Sequence, residues 1–557
     1  MSDALADLAA RFWDAQMEAE PTWAALVGDH RFDDRMEEAS VEADERKAAT
    51  FGAIAEAADA IDPVGLSDHD RITLEVLRFE LGTILDDLDA ASIEHTVDPK
   101  VGIQQQLVSY IPLLAPATAD HADAYVAKAS KVGTLVDQVI ERHRQGAAMG
   151  RTPVRPLAAK VVDQLDAYLN QGVDADPFLQ IAPPDTFTDE QVEAWRDRMA
   201  GEVRSVVRPA MARYREAIVE LLPAARPQEE AGICHIPGGP EDYGRAVWKY
   251  TSTHLTPDEI HEIGLAEVTR LEEEYRELGS EVLGTDDVAE IYERLRTDPE
   301  LRFETSEQVR EAAERSLDRA NAAVPDWFGV VPTTPCIVRE VPEVGAEDQT
   351  IAYYMPPAPD GSRPGIHFIN THDPTSRTRF ESEALAFHES VPGHHLQIAL
   401  AQEMEQLPEF RKHALATAYV EGWGLYTERL ADEMGLYSSP LERMGILSFD
   451  SWRACRLVVD TGMHAKGWSR DRAIEYMTAN SPQAPNNIRN EVDRYIGYYA
   501  QALAYKIGQR EILRLRDEAK EALGDRFAIQ DFHDTVLTTG PVPLTVLGDV
   551  VRSWVNA

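Results

Sequence analysis

The stretch of residues 388–395, with the sequence HESVPGHH, decides how the rest of the chain is interpreted. A histidine followed directly by a glutamate, with further histidines a turn or two later, is how a helix builds a hydrolytic zinc site: the imidazoles bind the ion and the glutamate is the general base. In the usual HExxH spacing the two histidines lie four residues apart on one helix face. Here the fourth position is Pro392, which cannot bind a metal, and the next candidates are His394 and His395.

Both candidates are too far along a regular helix to share an ion with His388. Six residues of helix rise about 9 Å, whereas each ligand lies about 2 Å from a zinc ion. Pro392 has no N–H to bond the carbonyl of His388, and Gly393 tolerates unusual backbone dihedrals. The sequence therefore predicts that the helix opens around residues 391–393, so that a second histidine returns to the first.

The alternative interpretation of this stretch is structural, with its histidines serving as helix caps or satisfied core residues. The surrounding pattern favours the metal site. Residues 381–391 have apolar side chains at helical spacing, and residues 365–371 (GIHFINT) alternate like a strand. A strand edge beside a metal-binding helix can hold an extended peptide next to the metal.

A third ligand is expected from a long apolar helix over residues 414–434. Glu421 lies in its middle with apolar neighbours on nearly every face, and a buried carboxylate is costly unless it is paired or bound to a metal. Glu428, two turns further on, is a second candidate, which can instead pair with Arg429 or lie at the rim of the site. A purely structural role for both glutamates is the third possibility.

The motifs around these residues together resemble the DUF885 family of bacterial proteins. They are HESVPGHHLQ (388–397), AYVEGWGLYTERLADEMGLY (418–437), RLVVDTGMHAKGWSR (456–470) and QALAYKIG (501–508), within a likeness that extends over residues 235–557. Those proteins are similar to zinc metallopeptidases of the gluzincin type, in which two histidines and one glutamate bind the metal. The resemblance implies His388, His394 and Glu421 as ligands of one zinc ion per chain, and Glu389 as the general base. Because the motif departs from HExxH, the choice between His394 and His395 stays open.

A hydrolase also needs a donor for the oxyanion that develops when water attacks a carbonyl. Candidates in the C-terminal third are His464 and the tyrosines of the run RYIGYYAQALAYKIG, residues 494–508. By similarity to zinc peptidases, in which a later helix supplies a tyrosine or histidine, Tyr505 and Tyr495 are favoured. Each of these residues can equally be a packed side chain whose polar atom is satisfied elsewhere.

Length and composition are those of a large, mainly helical protein. The 557 residues suffice for a large core and two lobes. We predict a helical N-terminal lobe over residues 1–235 and a metallopeptidase-like region over 236–557, because proline and glycine cluster at residues 233–244. The strand-like segments are few: residues 334–340, 350–355 and 365–371. The expected fold is therefore mainly α, two-lobed, with a small β-sheet beside the metal-binding helix.

The net charge of −43 argues against nucleic acid as a partner, since nothing in the chain would neutralise phosphates. In so acidic a chain, Lys506, Arg453 and Arg456 are expected to be ion-pair partners rather than ligands of a substrate carboxylate. No apolar stretch of about 18 residues occurs, so no membrane span is predicted. Three dispersed cysteines and an N-terminus without an apolar leader predict a cytoplasmic location.

These features together predict a zinc-dependent peptidase or amidase that acts on short peptides. Glu389 would take a proton from the attacking water and pass it to the leaving amine. One alternative is a non-catalytic peptide-binding protein that keeps the cleft. The other is a metal-dependent hydrolase of a non-peptide amide or ester.

Overall fold

A computed structural model describes residues 1–341, 350–358, 361, 363–414 and 416–557 of the chain. The described residues are mainly helical and contain a three-stranded sheet, so the predicted fold class is confirmed. None of the described helices combines the length and the apolar character that a membrane crossing requires.

By internal contacts the described residues divide into two compact units. The first consists of Met1–Arg245, Gly467–Asp471 and Ile496–Tyr498, and the second of Ala246–Lys466, Arg472–Tyr495 and Tyr499–Ala557. The functional boundary predicted after residue 235 stays a prediction, because this division follows packing and not activity.

Amphipathic helices make up the N-terminal part of the chain. They are α1 (Asp3–Ala19), α2 (Pro21–Leu26), α3 (Val41–Asp59), α4 (Asp68–Ala90), α5 (Ile103–Tyr110), α6 (Ala119–Ala148), α7 (Arg155–Asn170), α8 (Asp189–Glu202), α9 (Arg208–Leu221) and α10 (Gly239–Thr251). The long helix α6 packs against α8 and α9 and buries Tyr125, Val132 and Val136 in the core. A π-helical turn at Val203–Val207 separates α8 from α9.

Helices also form most of the second unit. They are α11 (Pro257–Val282), α12 (Val288–Thr297), α13 (Ser306–Ala323), α14 (Arg379–Glu389), α15 (His394–Glu403), α16 (Glu409–Lys412), α17 (Thr417–Glu433), α18 (Pro440–His464), α19 (Arg470–Asn480), α20 (Pro485–Gly497), α21 (Ala504–Leu523), α22 (Ile529–Leu537) and α23 (Leu544–Val555). Helix α11 begins with a capping box in which the side chains of Thr256 and Glu259 bond each other's backbone N–H. Helix α17 lies within the predicted 414–434, of which residue 415 is outside the described residues.

Helix α18 is the centre of this unit, since nearly every side chain from Met444 to its end is buried. A helix that is buried on all sides must be covered on all sides, and α18 packs against α11, α14, α17 and α21. Helix α14 thus lies between α17 and α18, which places His388 in the interior of the unit.

The sheet has the strand order β1–β3–β2, formed by β1 (Cys336–Glu340), β2 (Ala352–Met355) and β3 (Gly365–Ile369). Strand β3 is parallel to β1 and antiparallel to β2. All three predicted strands are confirmed, each two residues shorter than predicted at one end. The sheet contacts α13, α14 and α15, so it lies beside the helix that contains His394.

Candidate metal centre

The chain between α14 and α15 is broken over residues 390–393, as the proline and glycine of the motif predict. The last turn of α14 closes with the Ser390 N–H donating to the Ala386 carbonyl at 2.9 Å. A Cβ atom on Gly393 would lie 1.9 Å from the His388 carbonyl oxygen, so only glycine allows this close return of the chain. As a result, His394 comes back towards His388 instead of lying 9 Å further along a helix.

Three side chains converge at this break. The Nε2 atom of His388 lies 3.6 Å from Oε2 of Glu421, and the Nε2 atom of His394 lies 3.5 Å from the same oxygen. Nitrogen and oxygen ligands about 2.0–2.1 Å from one tetrahedral ion are about 3.3 Å apart. These separations are longer than ordinary hydrogen bonds and close to those of ligands around a common point. We call His388, His394 and Glu421 the trio.

The trio fits a zinc ion in chemistry as well as in spacing. Two imidazole nitrogens and one carboxylate oxygen form a typical catalytic zinc set, which leaves a fourth position open. The side chains of His388, His394 and Glu421 are 3%, 11% and 19% exposed, so the group lies near solvent without being on the surface. The His388 and His394 rings are nearly perpendicular, at 84°.

Glu428 lies behind the trio and binds His388. Its Oε1 atom is 2.8 Å from Nδ1 of His388 and accepts the Nδ1–H hydrogen bond, so the Nε2 side of the ring faces Glu421. Of the alternatives left open for Glu428, a pair with Arg429 and a place at the rim are both wrong. Seven residues are two helical turns, so Glu428 shares the face of Glu421, whereas Arg429 binds Asp450 and Glu274.

Charges within the site shift the acidities of its members in opposite directions. Burial disfavours the His388 cation, but the carboxylates of Glu421 and Glu428 outweigh this effect and raise the pKa of His388 to about 9. Burial opposes ionisation of Glu421, yet His388 and His394 lower its pKa well below the usual range. The surroundings thus favour a cationic His388 beside an ionised Glu421.

Helix α17 holds the break through two adjacent residues. The indole N–H of Trp423 donates to the Pro392 carbonyl at 2.9 Å. A Cβ atom on Gly424 would lie 2.7 Å from the His388 ring, so glycine is required where α17 passes this imidazole. Trp423 and Gly424 both lie between Glu421 and Glu428 in the sequence. Their contacts hold the His388 ring in the position where it faces these two carboxylates.

His395 faces away from the trio. The Tyr354 hydroxyl donates to its Nδ1 at 2.9 Å, and its Nε2–H donates to the Thr334 carbonyl at 3.0 Å. Burial lowers the pKa of His395 to about 4, in keeping with a neutral ring. His395 therefore fastens α15 to the sheet, and His394 is the histidine of the pair that joins the trio.

Glu389 is the last residue of α14 and is half-buried. It follows His388 directly, and its charge is among those that raise the pKa of that imidazole. Glu389 therefore adjoins the trio without being part of it, which is the position expected of a general base.

Among the proposed oxyanion donors, Tyr505 is the one whose pKa responds to the charge of a member of the trio, Glu421. It is half-buried near the start of α21. Burial, together with the negative charge of Glu421, raises its pKa to about 12. The guanidinium groups of Arg453 and Arg456 lie 5.8 and 4.4 Å from the centre of its ring. The Tyr505 hydroxyl thus remains protonated and can donate a hydrogen bond.

The other two donor candidates have their polar atoms engaged away from the trio. The Tyr495 hydroxyl accepts hydrogen bonds from Trp452 Nε1 at 3.0 Å and from Arg456 Nε at 2.8 Å. The His464 Nε2 atom is 2.9 Å from the Tyr495 carbonyl oxygen. The structure therefore gives Tyr495 and His464 places in the contacts between α18 and α20.

The cationic residues near the site are ion-paired, as the acidic composition indicates. Lys506 binds Asp450 and lies 3.2 Å from Glu267. Arg456 lies 3.0 Å from Glu491. Arg453 is less well paired, with its nearest carboxylate oxygen, on Glu428, at 3.7 Å.

Comparison with known proteins gives a family and a fold. The family model described as bacterial protein of unknown function (DUF885) matches residues 21–551. A crystal structure of the putative lipoprotein from Colwellia psychrerythraea is 28% identical, with a TM-score of 0.91 over 99% of both chains. A putative lipoprotein of unknown function from Shewanella oneidensis is 18% identical, with a TM-score of 0.76 over 99% of this chain and 100% of that one.

A third structure, of a putative oligoendopeptidase F from Bacillus anthracis, is 12% identical over 91% of this chain and 92% of that chain. Its TM-score of 0.31 is too low to indicate a shared fold. No curated protein matches the chain.

The predicted cytoplasmic location is wrong, because the solved structures that resemble the whole chain are those of putative lipoproteins. The prediction rested on three dispersed cysteines, which form no disulfide among the described residues, and on an N-terminus without an apolar leader. Neither property distinguishes one compartment from another, since a protein outside the cytoplasm can also do without disulfides.

Proposed function

Since the chain belongs to the DUF885 family, a bacterial family of unknown function, we propose from its site that the protein is a zinc-dependent hydrolase that cleaves amide bonds of short peptides. The observation on which this rests is the convergence of His388, His394 and Glu421, with the half-buried carboxylate of Glu389 adjoining His388 in the chain. Two histidines and one glutamate are also the ligand set of the gluzincin-type metallopeptidases that the motifs resemble.

In this proposal His388, His394 and Glu421 would hold the ion. When bound, zinc would supply Lewis-acid polarisation of the substrate carbonyl and a lowered pKa for water. Glu389 accepts the proton of the attacking water and delivers it to the leaving nitrogen. Tyr505 donates a hydrogen bond to the carbonyl oxygen as negative charge develops on it.

The small sheet supports a peptide as the substrate. Strand β2 lies at one edge of the β1–β3–β2 sheet and contacts α14, and His395 links β2 to α15 through Tyr354. An extended peptide can add to such an edge strand through main-chain hydrogen bonds. Its amide groups would then run past α14 and α15, the two helices that contain His388 and His394.

A test of this function separates metal binding from cleavage. The full chain is treated with a chelator, reloaded with zinc and incubated with a mixture of short peptides, whose products are identified by mass spectrometry. We expect about one zinc ion per chain at the trio and zinc-dependent cleavage. The His388→Ala protein serves as the control that lacks a ligand. Zinc bound at the trio without cleavage of any peptide would refute the hydrolase and favour a peptide-binding protein.

A further inference from the structure

The first unit contains a second group of metal-binding side chains. His30 lies in a 3-10 turn (His30–Phe32), Asp33 follows that turn, and His121 lies in the first turn of α6. One ligand atom from each of the three lies within 4.8 Å of the others. We propose that His30, Asp33 and His121 form a second metal site, selective for a transition-metal ion such as zinc and independent of the trio.

Asp33 is the buried centre of this group. Its carboxylate is only 3% exposed, and its Oδ2 atom accepts a hydrogen bond from Nδ1 of His30 at 2.8 Å. Its other oxygen, Oδ1, is buried without a hydrogen-bond partner among the described residues. A buried carboxylate oxygen without a partner costs free energy, and a bound ion or water is the usual explanation for one in a native protein.

His121 adds a second unsatisfied atom beside this carboxylate. The side chain is half-buried, and its Nδ1 atom is buried with no hydrogen-bond partner in the described part of the chain. The His30 and His121 rings stack with their centres 4.1 Å apart. Because stacked rings do not point at a common ion, binding requires one ring to turn. His30, at 31% side-chain exposure, can turn if its hydrogen bond to Asp33 is replaced by a bond to the ion.

The donor set determines the class of ion. Two imidazoles and one carboxylate suit zinc, nickel, cobalt or copper, whereas magnesium and calcium prefer sites made of oxygen atoms alone. The net charge of −43 raises the local concentration of any cation. The two nitrogen donors are what would distinguish this site from the acidic surface around it.

A competing interpretation makes Asp33 the counter-ion of a buried lysine. Lys128 is 1% exposed, and its charge acts on Asp33, while its Nζ atom is 3.4 Å from Thr22 Oγ1. In that case Asp33 stabilises the fold and the two histidines are incidental. The two interpretations differ in what the loss of His121 does to metal binding, because His121 has no part in a pair of Asp33 with Lys128.

The experiment uses the His388→Ala chain as its background. The trio lacks one of its three side chains there, so zinc at the trio does not add to the measured amount of bound zinc. After chelator treatment, zinc is added, and bound metal is measured by titration calorimetry and elemental analysis. We expect about one remaining zinc ion per chain, and its loss when His121→Ala or Asp33→Asn is added. The His121 change matters most, since this half-buried side chain can be removed with little risk to folding.

The matched control is His69→Ala. His69 also lies beside an aspartate, with 3.5 Å between its Nδ1 and Asp70 Oδ1, but no second histidine joins that pair among the described residues. This variant should keep the zinc ion. Equal zinc binding with and without His121 would overturn the proposal, as would weak binding that the His69 change reduces equally. Neither result depends on whether the trio binds metal or cleaves peptides.

Discussion

The carboxylate of Glu428 lies directly behind the imidazole of His388, with Oε1 2.8 Å from Nδ1. Glu428 is fully buried, so this hydrogen bond is shielded from water and fixes both the tautomer and the orientation of the ring. Metal-binding histidines commonly have such a carboxylate partner, which raises the basicity of the ligand and holds it in place. The finding places Glu428 in support of the candidate site and not at its rim.

Replacement of Glu428 by Gln should weaken zinc binding at the trio by about 10–100-fold, the usual effect of losing a partner of a metal-bound histidine. The amide keeps the shape of the side chain and removes its charge. The dissociation constant is measured by competition with a chromogenic chelator. Glu433→Gln is the control, because Glu433 lies on the same helix but pairs at the surface with Arg516. Equal affinity for Glu428→Gln and wild type would refute the role assigned to Glu428.

The two neighbouring histidines should respond differently to substitution. His394→Ala should abolish zinc binding at the trio with little effect on the fold. His395→Ala should keep a zinc ion but lower the free energy of unfolding by about 1–3 kcal/mol, since it leaves the Tyr354 hydroxyl and the Thr334 carbonyl without their partner. Zinc content and urea unfolding are measured on both variants. Loss of zinc from the His395 variant alone would reverse the assignment.

How much of the site follows from the sequence depends on how local each feature is. The break before His394 could be predicted, since a proline without an N–H and a glycine determine it within four residues. The identity of the second histidine could not, because it depends on Tyr354 and Thr334, which lie far away in the chain. The spacing in the sequence shows that two residues can come close together. Which partner a side chain hydrogen-bonds to depends on the tertiary fold.

The same distinction explains why the roles of Glu428 and Tyr495 did not follow from the sequence. Seven residues separate Glu428 from Glu421, so the helical period predicted a shared face, but only the packing of α17 on α14 shows that His388 lies there. Tyr495 has the residue type of an oxyanion donor, yet its hydroxyl is taken by Trp452 and Arg456. The mainly helical fold and its three strands were easier to predict, since periodicity is a property of each segment alone.

Tyr505 and Tyr495 provide a matched pair of substitutions by Phe. Tyr505→Phe removes the proposed hydrogen bond to the oxyanion and should lower kcat by about 10²–10³-fold, with zinc content and stability unchanged. Tyr495→Phe removes the acceptor of a buried donor, Arg456, and of a half-buried one, Trp452, and should cost about 1–3 kcal/mol of stability. Steady-state kinetics and urea unfolding distinguish the two. If Tyr505→Phe retains full kcat on a cleaved peptide, the donor lies elsewhere.

Acid should destabilise the protein through its buried neutral histidines. His533 accepts a hydrogen bond from the Tyr426 hydroxyl and donates to the Trp327 carbonyl, and burial lowers its pKa to about 3. The unfolded chain, with a histidine pKa of about 6.5, takes up the proton first. The stability contributed by neutral His533 is therefore complete above pH 6.5 and is lost as the pH falls towards 3.

Between pH 7 and pH 5, His533 alone should remove about 2 kcal/mol of unfolding free energy. Burial lowers the pKa of three further histidines to about 4, so they add to this loss: His143, His367 and His395. Urea unfolding at the two pH values measures it. The His533→Gln protein should have a smaller difference between the two values, whatever its absolute stability. An unchanged difference would show that His533 is not neutral in the folded protein.

Glu389→Gln separates catalysis from binding at the trio. The change keeps the size of the side chain and removes the carboxylate that is proposed to take the proton from water. Because Glu389 is not a member of the trio, zinc content and stability should match those of the wild type. Turnover of any cleaved peptide should fall by at least about a hundredfold, the lower range for general-base catalysis, while peptide binding survives. Wild-type turnover in this variant would refute Glu389 as the base, and loss of zinc would instead make it a ligand.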